Sequence, residues 1–108
     1  MIHKHNTNVN EHACGVYYIR DDNAVYIGKT TRSFAIRWKE HITDLAAQEH
    51  SNYKLQQSYN DGNQLVCGVL VELETPELIE QAETILIQYY AARTTVFNIE
   101  GVDQRKYQ

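Results

Sequence analysis

Apolar residues recur along this chain in two rhythms. Gly15-Val16-Tyr17-Tyr18-Ile19-Arg20 and Ala24-Val25-Tyr26-Ile27 are dense in β-branched and aromatic residues, which suit a pleated, half-buried surface. Asp21-Asp22-Asn23 between them is a turn cluster, so the pair predicts a hairpin. Alternation puts Tyr17 on one face with Gly15 and Ile19, and Tyr26 on the face opposite Val25 and Ile27. Two tyrosines on facing strands thus look out from one side of the sheet. Gly28-Lys29-Thr30-Thr31 reads as a linker, after which the rhythm changes. From Ser33 to Ala46, Phe34, Trp38, Ile42 and Leu45 are spaced by four, four and three, which is one helical stripe. Arg37 and His41, also four apart, project together from the flank of that stripe.

Polar residues from Gln48 to Asn52 lead to a short helix near Tyr53–Tyr59, stopped by Asp61-Gly62-Asn63. Leu65 to Val71 is a continuous apolar strand, expected to be covered on both faces. Thr75-Pro76-Glu77 supplies an N-cap, a proline at the first helical position and an early acid. The helix that follows, Pro76 to Ala92, is apolar over Leu78, Ile79, Ala82, Ile85, Leu86, Ile87 and Tyr89. Phe97-Asn98-Ile99 is a short segment expected to dock back on the body. Residues 1–13 show no apolar periodicity and read as a loose arm. The order β-β-α-α-β-α predicts an α/β (α+β) fold, a small, mainly antiparallel three-stranded sheet flanked by helices. One domain over residues 1–108 follows, with a core at 14–99 and a tail at 100–108.

At 108 residues and 43% apolar, the chain has material for one modest core. No apolar run is long enough to span a bilayer, and the first eight residues lack a signal-peptide stretch. A cytoplasmic protein with no membrane partner is therefore expected, nucleoid-associated and phage-encoded origins included. Cys14 and Cys67 sit singly, with no zinc-like spacing, and are expected to be reduced and structural. His3-x-His5 reads as part of a frayed polar tail. The net charge is -4 and unevenly spread: residues 1–60 carry seven Lys/Arg against six Asp/Glu, residues 61–108 three against eight. Lys29, Arg32, Arg37, Lys39 and Lys54 give the middle a mild basic bias, far from the cationic footprint of a tight DNA binder.

Glu83 is the residue that periodicity explains least, because the helix around it is apolar over much of its circumference. A carboxylate there either faces water at the edge of the buried stripe or is held for a purpose, since burying an unpaired acid is expensive. Each other polar residue has a structural explanation. Tyr17 and Tyr26 form strands well, Arg37 can lie along an apolar stripe, and a helical histidine such as His41 is often a packed edge residue.

Order changes that reading. Gly15-Val16-Tyr17, then Tyr26-Ile27-Gly28, then Arg37-Trp38-x-x-His41 on the next helix resembles the GIY-YIG nuclease family, particularly its phage intron homing endonucleases. The similarity runs on through His50 to Leu55-Gln56, the apolar strand ending at Glu72, Glu83, and Asn98. It covers about residues 14–99, with Val16 standing where the family name has isoleucine.

What the resemblance implies is a metal-dependent DNA endonuclease leaving 5′-phosphate and 3′-hydroxyl ends. Tyr17, Tyr26, Arg37, His41 and Glu83 would form the catalytic set. Glu83 would be the acidic ligand of a divalent cation, Mg²⁺ or Mn²⁺. Arg37 would hold a phosphate oxygen. Tyr17 would activate the attacking water, as a phenolate or through a relay, with Lys29 and Arg37 lowering its pKa. Tyr26 would orient water or phosphate, and His41 would share proton transfer or steady Arg37. Lys29, Arg32, Lys39, His50 and Asn98 would contact substrate, Asn98 also in a supporting role. Since no separate DNA-reading element is visible, specificity would come from a targeting partner or a fused DNA-binding domain. Double-strand cleavage would need a homodimer or sequential nicks. Two other readings stay open: a catalytically inactive nucleic-acid-binding or docking module with this fold, and an interaction domain with no nucleic-acid role.

Overall fold

In the computed structural model, which describes residues 2–4 and 10–98, the elements follow as β1 (Ile2–Lys4), β2 (Gly15–Arg20), β3 (Ala24–Thr30), α1 (Phe34–Ala46), α2 (Tyr53–Asn60), β4 (Leu65–Glu72), α3 (Pro76–Ala91) and β5 (Thr95–Val96). The three strands expected from sequence form the middle of the sheet, whose order is β1-β4-β2-β3-β5. β2 pairs antiparallel with β3 on one side and β4 on the other. The α+β class therefore stands, with two short parallel edge strands added.

Those edges correct two expectations. Ile2–Lys4 lies in the stretch read as a loose arm, yet it pairs in parallel with Leu65, Val66 and Cys67. β5 pairs with Ala24 and Val25. Strands of two or three residues have no room for a period, and the open edges of β4 and β3 create them. β3 also runs on through Gly28, Lys29 and Thr30, where a linker was expected, because Tyr17, Val16 and Gly15 of β2 pair with them.

The hairpin turn is tied down by Asp21. Its Oδ1 accepts from the Asn23 and Ala24 amides at 2.7 and 2.8 Å, and its Oδ2 accepts from the Ser58 hydroxyl of α2 at 2.6 Å. Ser33 caps α1 by accepting from the Ile36 amide, and Asn52 caps α2 by accepting from Leu55. Thr75 occupies the N-cap position of α3 without a side-chain hydrogen bond, so Pro76 alone marks that start.

Helices cover both faces of the sheet. Tyr17, Ile19, Leu65 and Cys67 pack against Phe34, Trp38 and Leu45 of α1 and Leu55 of α2. Phe97 docks into this layer as expected, while Ile99 and the tail lie outside the described residues. On the other face Val16, Val25 and Ile27 meet Ile79 and Ile87 of α3. β4 serves both layers, with Val69 on one side and Leu70 and Val71 on the other. Leu78, Ile85 and Tyr89 are exposed, so the inner face of α3 is narrower than its composition implies.

The stripe on α1 differs at one decisive position. Ile42 is 44% exposed, and His41 takes the buried place with no exposed surface. The inner face is thus Phe34, Trp38, His41 and Leu45. Cys14 and Cys67 are free thiols, and no described helix is long and apolar enough to cross a membrane.

Candidate active site

One glycine lets β2 begin beside β4 and another seats Tyr17. Gly15 has φ +146°, and a Cβ there would lie 2.1 Å from the Val71 carbonyl oxygen, so only glycine lets β2 start so close to β4. Gly28 stands directly opposite Tyr17 across the hairpin. A Cβ on Gly28 would lie 2.4 Å from both Cζ and Oη of Tyr17. The Tyr17 ring therefore lies across β3 in the space that glycine leaves.

Tyr17 is fully buried, edge-on to Phe34, Trp38 and His41. Its Oη is 2.6 Å from His41 Nε2. Burial pushes the phenol well above its ordinary pKa, and Tyr26 and the Glu83 carboxylate add to this, while Arg37 opposes by charge and hydrogen bond. The net direction reverses the lowering expected from nearby cations. Arg37 acts as expected but is outweighed, and the Lys29 ammonium is bonded to Glu83 instead.

The two tyrosines do share a face. Tyr26, half-buried, is edge-on to His41 and to His50, with ring centroids 5.4 and 6.2 Å away. His50 stacks on His41 at 4.9 Å, and its Nε2 is 2.6 Å from His41 Nδ1. Burial lowers His41 to about 3, helped by the Arg37 and His50 charges and opposed by Glu40. Burial also lowers His50, against the Asp44 carboxylate and with Arg37. Both rings are neutral at physiological pH.

Arg37 lies one turn before His41, and its Nη1 donates to Glu40 Oε1 at 3.0 Å. Arg32 Nη2 donates to the same oxygen at 2.7 Å. These bonds, Arg32's foremost, hold the Glu40 carboxyl down at about 2. Arg32 is thereby anchored to α1, and Lys39 lies exposed on the outer side of that helix, away from the histidines.

Glu83 comes from the opposite layer. Its side chain is 19% exposed, and it accepts from Lys29 Nζ at 3.1 Å. Burial raises its carboxyl, with Lys29 pulling the other way. Lys29 follows Gly28 on β3 and turns toward α3, while Tyr17 covers Gly28 from the other side. Tyr17 feels the Glu83 charge across this dipeptide. Asn98 holds it in line: its Oδ1 accepts from the Ile27 amide at 2.8 Å, and its Nδ2 donates to the Ile27 carbonyl at 2.7 Å. With both ends of its amide bonded to the backbone, Asn98 supports β3.

The sequence model of the GIY-YIG catalytic domain matches residues 13–96. The chain belongs to this family. It is 36% identical over 89 residues to Intron-associated endonuclease 1 of Enterobacteria phage T4, across 79% of this chain and 36% of that protein. The chain thus spans about a third of the length of that relative. The solved catalytic domain of homing endonuclease I-TevI superposes with a TM-score of 0.72 at 34% identity, over 80% of this chain and 97% of the other.

For a divalent cation, this GIY-YIG domain offers one desolvated carboxylate. No group of three or more His, Cys, Asp or Glu side chains is assembled among the described residues. That donor set fits a hard ion keeping several waters and taking a substrate phosphate, and does not fit an all-protein cage. The cationic Lys29 on Glu83 marks the same spot as one that attracts positive charge.

Residues missed by sequence reasoning are the supporting ones. Glu40 was visible as an acid three positions after Arg37. Asn52 was visible as an N-cap ahead of α2. Gln56 was visible as the end of the stretch running from His50, with nothing to indicate its bond to the His50 amide.

Proposed function

We propose that this GIY-YIG domain is a DNA endonuclease that hydrolyses phosphodiester bonds with a divalent cation, leaving 5′-phosphate and 3′-hydroxyl ends. What supports this reading is that Tyr17, bonded to His41, lies within electrostatic reach both of Arg37 and of the Glu83 carboxylate that Lys29 holds from the other layer. Tyr17 activates the attacking water, and Tyr26 orients that water or the phosphate. Arg37 holds a non-bridging oxygen and offsets charge building at phosphorus. Glu83 would hold Mg²⁺ or Mn²⁺, and such an ion would supply charge stabilisation for the phosphate and the leaving 3′ oxygen. Lys29, released from Glu83, and the basic edge of Arg32 and Lys39 contact the backbone. Asn98 keeps β3 in register.

The acidic second half of the chain makes independent tight binding unfavourable. On this reading a fused DNA-binding domain or a targeting partner supplies specificity, and a homodimer or successive nicks supply double-strand cuts. Supercoiled plasmid incubated with the protein and Mg²⁺ or Mn²⁺ tests the reaction and its ends. Nicks should appear, vanish with EDTA or Glu83→Ala, and be sealed by DNA ligase, which requires 5′-phosphate beside 3′-hydroxyl. No nicking at high enzyme and low salt, or nicking by Glu83→Ala, defeats the reading. Unsealable nicks defeat only the assignment of ends.

The burial of Tyr17 favours a second reading, an inactive docking module with the same fold. It predicts salt-dependent DNA binding without cleavage, indifferent to Tyr17→Phe and Glu83→Ala.

A further inference from the structure

Two histidine rings stand behind Tyr17, and their contacts admit one arrangement of protons. The backbone amide of Asn52 donates to His50 Nδ1 at 3.0 Å. An amide N–H can only donate, so His50 Nδ1 accepts and the neutral ring carries its proton on Nε2. That Nε2 lies 2.6 Å from His41 Nδ1, which must then accept. His41 in turn carries its proton on Nε2, 2.6 Å from Tyr17 Oη. The reverse direction fails. If Tyr17 donated to His41, His41 Nδ1 would donate to His50 Nε2, and His50 would need a proton on Nδ1, facing the Asn52 N–H. A positive charge on either ring leads to the same collision.

We propose that the Asn52 amide and His50 are positioning groups that fix His41 as the hydrogen-bond donor to Tyr17, so that His41 steadies the phenol oxygen and is not the base that takes its proton.

The lock is well held. Gln56 Oε1 accepts from the His50 amide at 3.1 Å, and Gln56 Nε2 donates to the Leu45 carbonyl and to Asn60 Oδ1, both at 3.0 Å. Asn52 caps α2 through Oδ1 and donates to the Phe97 carbonyl at 2.9 Å through Nδ2. Its amide cannot swing away without uncapping the helix. Charges facing the rings keep them neutral on balance. Burial and Arg37 disfavour a proton on either, Glu40 opposes at His41, and Asp44 opposes at His50. Tyr17 and Tyr26 complete the surroundings from the sheet.

The catalytic consequence rests on the nuclease reading. A fixed donor favours the Tyr17 phenolate, the form that accepts a proton from the attacking water. With the histidine pair closed to it, the phenol proton leaves to solvent water before that step.

Long-range ¹H–¹⁵N spectra of the full chain with ¹⁵N-labelled histidine, free of metal and DNA, read the tautomers directly. At neutral pH, His41 and His50 should both show protonated Nε2 and unprotonated Nδ1. An Nδ1–H tautomer or an imidazolium at either ring overturns the proposal. Two substitutions add a mechanistic readout. His50→Gln keeps a donor toward His41 and should keep its tautomer, with a smaller loss of kcat than His50→Glu. His50→Glu presents an acceptor, should switch His41 to Nδ1–H, and should lower kcat by about tenfold or more with KM unchanged, the scale typical of outer-partner loss. An unswitched His41 in His50→Glu, or equal kcat losses in the two variants, refutes the positioning role. A wild type that cuts no DNA sinks the nuclease reading, while the spectra still decide the proton arrangement.

Discussion

Gly28→Ala is the sharpest perturbation the hairpin offers. In an ordinary strand this change stabilises by about 0.5–1 kcal/mol, because alanine loses less freedom on folding. Here the added methyl would lie 2.4 Å from Tyr17 Cζ and Oη and 2.8 Å from Cε1. The ring must retreat, but Phe34 and Trp38 pack it edge-on and His41 holds its hydroxyl at 2.6 Å. Overpacking a closed site costs about 1–3 kcal/mol, so the clash outweighs the entropic gain. A net loss of about 1–2 kcal/mol lowers Tm by roughly 4–8 °C per kcal/mol for a domain of this size. Urea unfolding followed by the single tryptophan, Trp38, which touches Tyr17, measures it. Repeating the substitution in a Tyr17→Leu background should remove the penalty, since Leu has no atoms at those positions. An unchanged or higher midpoint for Gly28→Ala, or an equal cost in both backgrounds, refutes the claim that Gly28 makes room for Tyr17.

Other expectations follow from the same contacts. Tyr17→Phe should leave the fold intact and lower kcat by about 10²–10⁴, the scale of a lost proton-transfer group, measured in single-turnover cleavage. Glu83→Ala should abolish metal-dependent cleavage yet change stability by less than about 1 kcal/mol, because Lys29 is 42% exposed and such pairs are weak; urea midpoints check the second half. Ser58→Ala should cost about 1–3 kcal/mol, since it strips the buried Asp21 Oδ2 of its donor, readable in the same titration. The histidine pair makes stability fall with acid. His41 is depressed to about 3 in the fold, so the unfolded chain takes up its proton first. Its contribution is complete above an unfolded value of about 6.5 and is lost as pH falls from there toward 3. His50, also lowered, adds in the same direction. Glu83, whose carboxyl is raised, works oppositely. Urea midpoints between pH 7 and pH 4 should drop, less steeply in His41→Gln; equal slopes would contradict the assignment.

The hairpin and helices were legible because their signals are local: alternation around Asp21-Asp22-Asn23, a period near 3.6 from Phe34, and a proline at the head of α3. The site was legible as an ordered set of residue types and far less as geometry. Hydrophobicity favours burying Ile42, yet His41 is inside, because both its ring nitrogens find partners in Tyr17 and His50. Those partners lie 24 and 9 residues away, beyond any helical pattern. The sign of the Tyr17 shift depends on how deeply it is covered, which composition does not reveal. Glu83 stood out in the sequence as ill-suited to an apolar helix, but its pairing with Lys29 is a meeting of distant segments. The short edge strands were invisible, since they exist only through β3 and β4.

Cleavage under single turnover tests the central claim most directly, that the Tyr17 cluster and Glu83 form one hydrolytic site. End-labelled duplex DNA, excess protein and Mg²⁺ would be quenched over time for wild type, Tyr17→Phe and Glu83→Ala. Cation-dependent strand scission by the wild type, slowed at least about a hundredfold by either substitution, is the predicted result. Scission that is absent in the wild type, or that proceeds at wild-type rate in either variant, would contradict it.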